Sequence, residues 1–247
     1  KPTVGIAQVE GQTAQFQNIQ NLLGQRYMVQ PVNLSDAVPA EVTALLMGGV
    51  SDSLSGDEYQ HLSDYLNRGG NLFLTQNRVK ANLQIQQAFP IQSNIFDLVD
   101  DYGFAIAENL VTDKICGRVN VQQQMGPIRM NVPMEYPLLP VVRSFNNNEP
   151  IVAGLEQIQL VFASEIKQDS ASIGNVNFVP LLFSSDQSGE MRGQFNLNPD
   201  PNQNPFIRMF NQSDKVLSAR SEKVDENGVL SQVILVGDSD FMADQGG

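Results

Sequence analysis

Residues 44–78, ALLMGGVSDSLSGDEYQHLSDYLNRGGNLFLTQNR, decide the fold that we predict for this chain. An apolar run at 44–47 stops at Gly48-Gly49, a helical pattern follows, and a second apolar run begins after Gly69-Gly70. Apolar runs bounded by glycine are typical of strands that are covered on both faces. Because the default connection between two parallel strands is a right-handed crossover, the stretch predicts a strand–helix–strand unit.

The helix predicted in this stretch carries sequence signals at both ends. Ser55 is a preferred N-cap residue, and Glu58 follows three positions later, which is the spacing of a capping box. Gly69 can take the left-handed backbone conformation that ends a helix. Four residues at helical spacing form one apolar stripe: Tyr59, Leu62, Tyr65 and Leu66.

Outward from this unit, the sequence predicts further strands of the same sheet. Strands are expected at 3–9 and 27–34, with a helix between them that closes at Gly24. The last apolar run, 232–236, matches the composition of the buried parallel strands, so we expect it to return to their sheet. We therefore predict one α/β domain over residues 1–247, with a doubly wound, mostly parallel sheet of the flavodoxin-like, Rossmann-like or class I amidotransferase-like kind.

The middle of the chain departs from this pattern. Residues 80–94 are rich in Gln and contain a proline, which predicts irregular structure or a short helix. Residues 113–145 mix β-branched residues with Gly and Pro, which favours a β-rich or irregular insertion. A strand is expected at 158–163, and residues 195–206 are predicted to form a long loop.

The composition limits the classes of function. The formal net charge is −12 although charged residues make up only 17% of the chain, so a basic surface for nucleic acid or an anionic membrane is not expected. The one cysteine, Cys116, excludes an internal disulfide and a thiolate metal cluster. No apolar run approaches the roughly 20 residues that span a bilayer. Because the chain starts at Lys1 rather than Met, we expect a piece of a longer protein whose membrane anchors lie outside it.

A candidate ligand or partner site follows from the predicted topology. Ligands of open parallel sheets bind at the carboxyl ends of the strands, where four loops are expected to converge. The contact residues predicted in these loops are Glu10, Gly48, Gly49, Asp52, Asn77, Arg78, Asp238 and Asp240. The carboxylates could hold a divalent cation. However, Asp and Gly are ordinary turn residues and no Asp-x-Asp-x-Asp-Gly loop accompanies them, so no metal site is predicted.

Neither catalysis nor nucleotide binding is supported by a motif. An amidotransferase-like hydrolase needs a Cys on a tight strand-to-helix turn and a His as its base. Cys116 has no helical pattern behind it, and the only histidine, His61, falls within the predicted helix. Neither Gly-x-Gly-x-x-Gly nor Gly-x-x-x-x-Gly-Lys occurs. The sequence therefore predicts neither an enzyme nor a bound cofactor.

Short motifs in a fixed order along the chain resemble one protein family. The stretch 45–74 contains Leu-Ser-Gly-Asp-Glu before the helix and Asp-Tyr-Leu-Asn-Arg-Gly-Gly-Asn-Leu at its end. Further similar motifs are Glu149-Pro-Ile-Val-Ala-Gly-Leu155, Leu160-Val-Phe-Ala-Ser164, Pro180-Leu-Leu-Phe-Ser-Ser185, with Ser184 where Thr is usual, and Val236-Gly-Asp-Ser-Asp-Phe241. With the opening strand, they resemble the GldG-like family, the extracytoplasmic domains of gliding-motility auxiliary proteins of ABC transporters.

The resemblance implies a Rossmann-like, non-enzymatic domain outside the cytoplasmic membrane. It would be tethered by helices outside this chain and would work beside an ABC permease and its ATPase, in gliding motility or secretion where the species glides. In this family the closing motif normally runs on into a membrane anchor, which is absent from this sequence. The alternative is a periplasmic solute-binding domain that captures a small ligand at the carboxyl edge of the sheet, and homo-oligomerisation stays open.

Overall fold

The computed structural model describes residues 1–244. Within that range it has three α-helices, α1 (Gln17–Gly24), α2 (Gly56–Asn67) and α3 (Ile95–Asp100). None of the helices in residues 1–244 combines the length and the apolar character needed to cross a membrane. Short 3₁₀ turns lie at Pro150–Val152, Ser170–Ser172 and Pro205–Arg208.

Strands make up most of the regular structure. The strands of the first half are β1 (Thr3–Gln8), β2 (Met28–Asn33), β3 (Val42–Met47), β4 (Asn71–Thr75), β5 (Val79–Asn82), β6 (Gln87–Pro90), β7 (Phe104–Ile106), β8 (Asn109–Asp113) and β9 (Cys116–Met125). The strands of the second half are β10 (Ile128–Val142), β11 (Ser144–Phe145), β12 (Ile158–Gln159), β13 (Ile166–Gln168), β14 (Asn177–Phe183), β15 (Ser188–Arg192), β16 (Val216–Val224) and β17 (Leu230–Val236).

The main sheet has eight strands in the order β11-β14-β16-β17-β4-β3-β1-β2. The final strand β17 pairs in parallel with β4, with Val233 opposite Leu72, which confirms that the end of the chain returns to the first sheet. Four of the seven pairings are parallel, and the three that join β17, β16, β14 and β11 are antiparallel. The sheet is therefore mixed, with a flavodoxin-like parallel half and an antiparallel extension.

The central helix forms as its sequence signals predict. The Ser55 hydroxyl accepts from the Glu58 backbone N–H at 3.2 Å, and the Glu58 carboxylate accepts from the Ser55 N–H at 2.9 Å. The same carboxylate accepts from the Glu10 N–H at 2.7 Å, so this cap also holds the loop after β1. Leu62, Tyr65 and Leu66 are buried, Tyr59 is half-buried, and Gly69 has a φ of +93°.

Helices cover the two faces of the sheet unequally. The face carrying Leu45, Leu74 and Leu235 packs with α2 and α3 into the largest cluster of buried apolar residues. On the opposite face, α1 and the segment after β17 meet around Ile6 and Phe73, and Phe73 and Ile234 also pack against the third core. The doubly wound prediction therefore holds for the parallel half alone. Residues 104–229 lack a helical apolar pattern, and their strands and turns build the second and third cores.

Residues 80–94, predicted to be irregular or a short helix, form the hairpin β5–β6 instead, so that prediction was wrong. The polar residues that suggested a loop make its turn, because the Asn82 side chain accepts from the Gln84 N–H at 3.1 Å. The strand predicted at 158–163 spans only Ile158–Gln159. The Leu160 and Phe162 N–H groups still donate to the Pro140 and Leu138 carbonyls of β10 at 2.9 and 3.0 Å, and the chain leaves the extended conformation at Phe162, whose φ is +50°.

The other two predicted segments have distinct structures. Within 113–145, strands β9 and β10 pair as one long antiparallel hairpin. Residues 195–206 run without a strand as far as Asn204, and the 3₁₀ turn Pro205–Arg208 begins there. The buried Asn204 side chain donates to the Asn196 carbonyl at 2.6 Å, which holds this loop closed on itself.

Candidate functional site

The loops that follow β1, β3, β4 and β17 surround a cavity of about 510 Å³ at the carboxyl edge of the parallel strands. The hairpin β5–β6 overhangs it and contributes Lys80, Ala81 and Leu83. Five of the eight predicted contact residues line the cavity: Glu10, Gly49, Asp52, Asn77 and Asp240. Parallel pairing brings these loops together because every strand it aligns ends at the same edge.

The remaining three predicted residues, Gly48, Arg78 and Asp238, do not line the cavity. The Arg78 guanidinium turns away, lies 4.5 Å from the centre of the Phe96 ring and donates to the Ile106 carbonyl at 3.1 Å. Arg78 thus connects the loop after β4 to α3 and β7. Its charge is directed away from the predicted site.

Asp238 is buried below the cavity. Its carboxylate accepts from the Val161 N–H at 2.8 Å and from the Asp240 N–H at 2.9 Å. Burial raises the pKa of Asp238 to about 7, against the lowering effect of these two backbone hydrogen bonds. Asp238 therefore holds the segment before β13 against the end of β17, as a structural residue within this edge.

At Gly48 and Gly49, neighbouring side chains occupy the space that a Cβ atom would take. A Cβ on Gly48 would lie 2.4 Å from the Phe16 ring, and one on Gly49 would lie 2.3 Å from the Ser239 Cβ. Neither glycine has a positive φ within the described chain, so close approach, and not turn conformation, explains both. The two glycines let the loops after β1 and β17 close over the end of β3.

Residues that the sequence analysis missed hold the floor of the cavity. Gln76 is fully buried, accepts from the Val50 N–H at 2.9 Å and donates to the Val50 carbonyl at 3.0 Å. The Ser239 hydroxyl donates to the Asn77 side-chain oxygen at 2.7 Å. The Ser164 hydroxyl accepts from the Arg78 N–H at 3.0 Å. The only available sequence signal was the polar run directly after a buried strand.

The charges around the cavity are mixed. Glu10, Asp52 and Asp240 contribute carboxylates at its rim, and Lys80 contributes one ammonium whose Nζ donates to the Ser51 hydroxyl at 3.2 Å. Within residues 1–244 no group of three or more His, Cys, Asp or Glu side chains is arranged to hold a metal ion. In chemical terms, the cavity can offer hydrogen bonds and charge to a small polar solute or to a partner's side chains.

Cys116 and His61 occupy separate elements with partners of their own. Cys116 lies on β9, where burial, together with the nearby Glu135, raises the pKa of its thiol to about 11. A thiol with that pKa is protonated at neutral pH and is a poor nucleophile. The Nδ1 atom of His61 on α2 lies 2.8 Å from the Leu34 carbonyl oxygen.

Comparison with solved structures gives matches at low sequence identity, and the first of them shares the fold. The chain resembles the "mmIFT52 N-terminal domain" with a TM-score of 0.60 and 13% identity, covering 98% of this chain and 88% of that one. A putative ThuA-like protein from Bacteroides uniformis matches with a TM-score of 0.47 and 12% identity, over 97% and 83% of the two chains. A glutamine amidotransferase from Thermotoga maritima matches with a TM-score of 0.40 and 7% identity, over 95% and 74%.

Comparison at the level of sequence identifies the family. No curated protein matches this chain. A family model described as "ABC-type uncharacterized transport system" matches residues 1–247, the whole length of the sequence, in agreement with the resemblance carried by the short motifs. The chain belongs to this family of auxiliary components of ABC-type transport systems.

Proposed function

We propose that this chain is a non-catalytic accessory domain that lies on the extracytoplasmic side of the cytoplasmic membrane and contacts the permease and ATPase assembly of an ABC transporter. The observation that carries the proposal is the family match over residues 1–247. In a species that glides, the transporter would serve the motility or secretion apparatus. The anchors that hold the domain at the membrane would lie outside this sequence.

The construction of the carboxyl edge supports a docking role over a catalytic one. Gln76, after β4, is hydrogen-bonded to Val50 in the loop after β3. Asn77, also after β4, is hydrogen-bonded to Ser239 in the loop after β17. These bonds connect the loops of the edge from β3 to β17. The single cysteine has a pKa of about 11 and lies on β9, outside this edge. A rigid edge with exposed carboxylates suits recognition of a partner's polar side chains, because little conformational freedom is lost on binding.

Co-purification of the full-length protein with its transporter tests the proposal. The protein, expressed together with the permease and ATPase of an ABC transporter from the same organism, is expected to hold both subunits through detergent extraction and affinity capture. The control is the same protein lacking residues 1–247. Equal recovery of the transporter with that control would show that this domain does not mediate the contact.

A second candidate function is supported by the cavity itself. Its volume of about 510 Å³ falls within the range of small-molecule sites, and it combines charged and polar rim groups with apolar Phe162 and Ile91. A solute-binding domain would be stabilised by its ligand, since binding to the folded state raises the melting temperature. A library of small polar solutes, screened by thermal melting, separates the two functions: reproducible stabilisation by one chemical class, lost in the exposed rim variant Asp52→Asn, would favour solute binding.

A further inference from the structure

The β9–β10 hairpin extends beyond the body of the domain as an arm, defined here as residues 118–135. Eight residue pairs join its two strands, from Arg118 opposite Glu135 to the pair next to the turn. Its side chains that the structure describes are exposed or half-buried, with 60% of Ile128 and 49% of Met130 exposed. The arm therefore forms a two-stranded ribbon with little cover from the rest of residues 1–244.

The register of the ribbon separates its side chains into two unlike faces. Residues directly opposite each other in an antiparallel pair share a face, and successive residues alternate. Among the side chains that the structure describes, six apolar ones, accompanied by Gln123, fall on one face: Val119, Val121, Ile128, Met130, Val132 and Met134. The other face holds all three charged residues of the arm, Arg118, Arg129 and Glu135, among Asn, Gln and Pro.

The apolar face continues the buried side of the domain. Two positions beyond Met134, on the same side of β10, Tyr136 is buried with Phe162 in the second core, and its hydroxyl donates to the Leu197 carbonyl at 2.6 Å. Val119 packs against the edge of that core. The base of the arm is therefore held in place, and the apolar side chains that follow are presented to solvent at a fixed orientation.

We propose that the apolar face of the arm packs against the same face of a second copy of this chain. A two-fold contact brings the same patch of both chains together, so the patch must be complementary to itself. An uncharged apolar face meets this requirement. Because all charges of the arm lie on the opposite face, the two arms meet without like-charge repulsion, although each chain carries a net charge of −12. The proposal is independent of the transporter contact proposed above.

A lipid bilayer fits the arm less well than a second copy does. Residues 118–135 contain no Trp, Tyr or Phe, the aromatic residues that anchor protein segments at membrane interfaces, and their only cations are Arg118 and Arg129. The acidic chain as a whole would be repelled by an anionic surface. The arm presents the apolar side chains of Val, Ile and Met, and the flexible Met side chains can adapt to a protein–protein contact.

The size of the face sets the expected strength. Eight pairs at about 3.4 Å per residue and two strands about 10 Å wide give a face of roughly 250 Å². Two such faces bury on the order of 500 Å², well below the ~1,200 Å² at which standard stable interfaces begin. The dimer is therefore expected to be weak and transient.

Sedimentation velocity over a concentration series tests the proposal with two variants on adjacent positions of β10. Val132→Glu places a charge on the apolar face, and Asn131→Glu places the same charge on the polar face. The wild type and Asn131→Glu should dimerise equally, whereas Val132→Glu should stay monomeric with an unchanged melting temperature. A wild type that is monomeric throughout, or a Val132→Glu variant that still dimerises, for example by pairing along the β9 edge, would overturn the proposal.

Methyl NMR locates the contact. With ¹³C-labelled methionine methyl groups, the Met130 and Met134 signals should shift as the concentration rises. Met209 and Met28, which are equally open to solvent, with 51% and 59% exposed, should not move. Concentration-dependent shifts confined to Met209 or Met28 would place any self-association elsewhere and would refute the role of the arm.

Discussion

Ser239 and Asn77 are joined by two hydrogen bonds although 162 positions separate them in the chain. The Ser239 hydroxyl donates to the Asn77 side-chain oxygen at 2.7 Å and accepts from the Asn77 backbone N–H at 3.0 Å. One residue follows β17 and the other follows β4, so the pair connects the end of the last strand to the carboxyl edge of the first sheet. The candidate cavity has this contact in its wall.

Replacing Ser239 with Ala should lower the free energy of unfolding by about 1–3 kcal/mol, because the buried Asn77 loses a donor and an acceptor. Urea denaturation measures the change. Ser35→Ala is the matched control, since Ser35 is exposed and its hydroxyl has no hydrogen-bond partner among residues 1–244, and it should stay within about 0.5 kcal/mol of the wild type. Equal effects of the two substitutions would show that the Ser239–Asn77 contact contributes nothing to stability.

Two glycines of the central unit should respond to alanine in opposite directions. Gly49→Ala pushes a methyl group into the Ser239 side chain and should cost about 1–3 kcal/mol. Gly56 begins α2, and no atom lies within 4 Å of the position that an alanine methyl group would take there, so Gly56→Ala should be neutral or stabilise by up to about 1 kcal/mol. Thermal melting of both variants checks the prediction. It fails if Gly49→Ala melts at or above the wild-type temperature.

Stability should decrease as the pH rises through the acidic to neutral range because of Asp238. Its pKa of about 7 in the folded protein lies above the 3.8 of an unperturbed Asp, so the folded state binds the proton more tightly than the unfolded state. The stabilising effect of that proton is complete below pH 3.8 and is lost as the pH approaches 7. The slope between these values is at most about 1.4 kcal/mol per pH unit.

Asp238→Asn isolates this contribution, because an amide does not titrate. Urea unfolding at a series of pH values from about 4 to about 8 should show a flatter profile for the variant than for the wild type. Glu190 acts in a different window, since hydrogen bonds from Arg192 and Asn109, with the charge of Lys215, outweigh burial and lower its pKa to about 2. Its stabilising effect is lost as the pH falls below 4.5 and leaves the higher range unaffected. Parallel profiles above about pH 5 would contradict the assignment to Asp238.

Lys215 should be important for stability and Lys167 should not, although both ammonium groups approach Glu165. Lys215 is buried, with Nζ 2.9 Å from Glu165 and 3.5 Å from Glu190, so Lys215→Met removes a buried cation from two carboxylates. Because Arg192 remains 2.8 Å from Glu190, the substitution should cost about 1–3 kcal/mol. The Lys167 side chain is 55% exposed and lies 3.8 Å from Glu165, so Lys167→Met should cost less than about 1 kcal/mol. Chemical denaturation measures the free energy of unfolding of both variants. Similar losses in the two variants would contradict the prediction.

Local signals in the sequence were enough to predict the parallel half of the sheet. The Ser55–Glu58 cap, the Leu62 and Tyr65 stripe and the terminating Gly69 each act within one or two helical turns, and each has the predicted role in the structure. The return of 232–236 to the first sheet was also predictable, because an almost uninterrupted apolar strand needs cover on both faces.

Features that depend on distant partners were not predictable in this way. The hairpin β5–β6 was missed because its polar composition is typical of a loop, and the backbone bond from Leu197 to the Gln86 carbonyl, at 2.9 Å, helps to hold it. The strand expected at 158–163 is shorter because the Val161 N–H donates to the Asp238 carboxylate at 2.8 Å and the chain leaves the extended conformation at Phe162. In both cases contacts with residues far away in the chain override the local preference.

The sequence by itself determined which segments are strands and helices in the parallel half, with strand bounds within about two residues of those observed, and the family of the chain. Only the tertiary structure decided which polar residues reach the cavity, that Arg78 and Asp238 are turned to structural contacts, and that one side of the β9–β10 arm is mostly apolar. The physical reason is the range of the interactions. Caps and apolar periodicity act over a few residues, whereas loop convergence and strand register depend on segments that only the folded chain brings together.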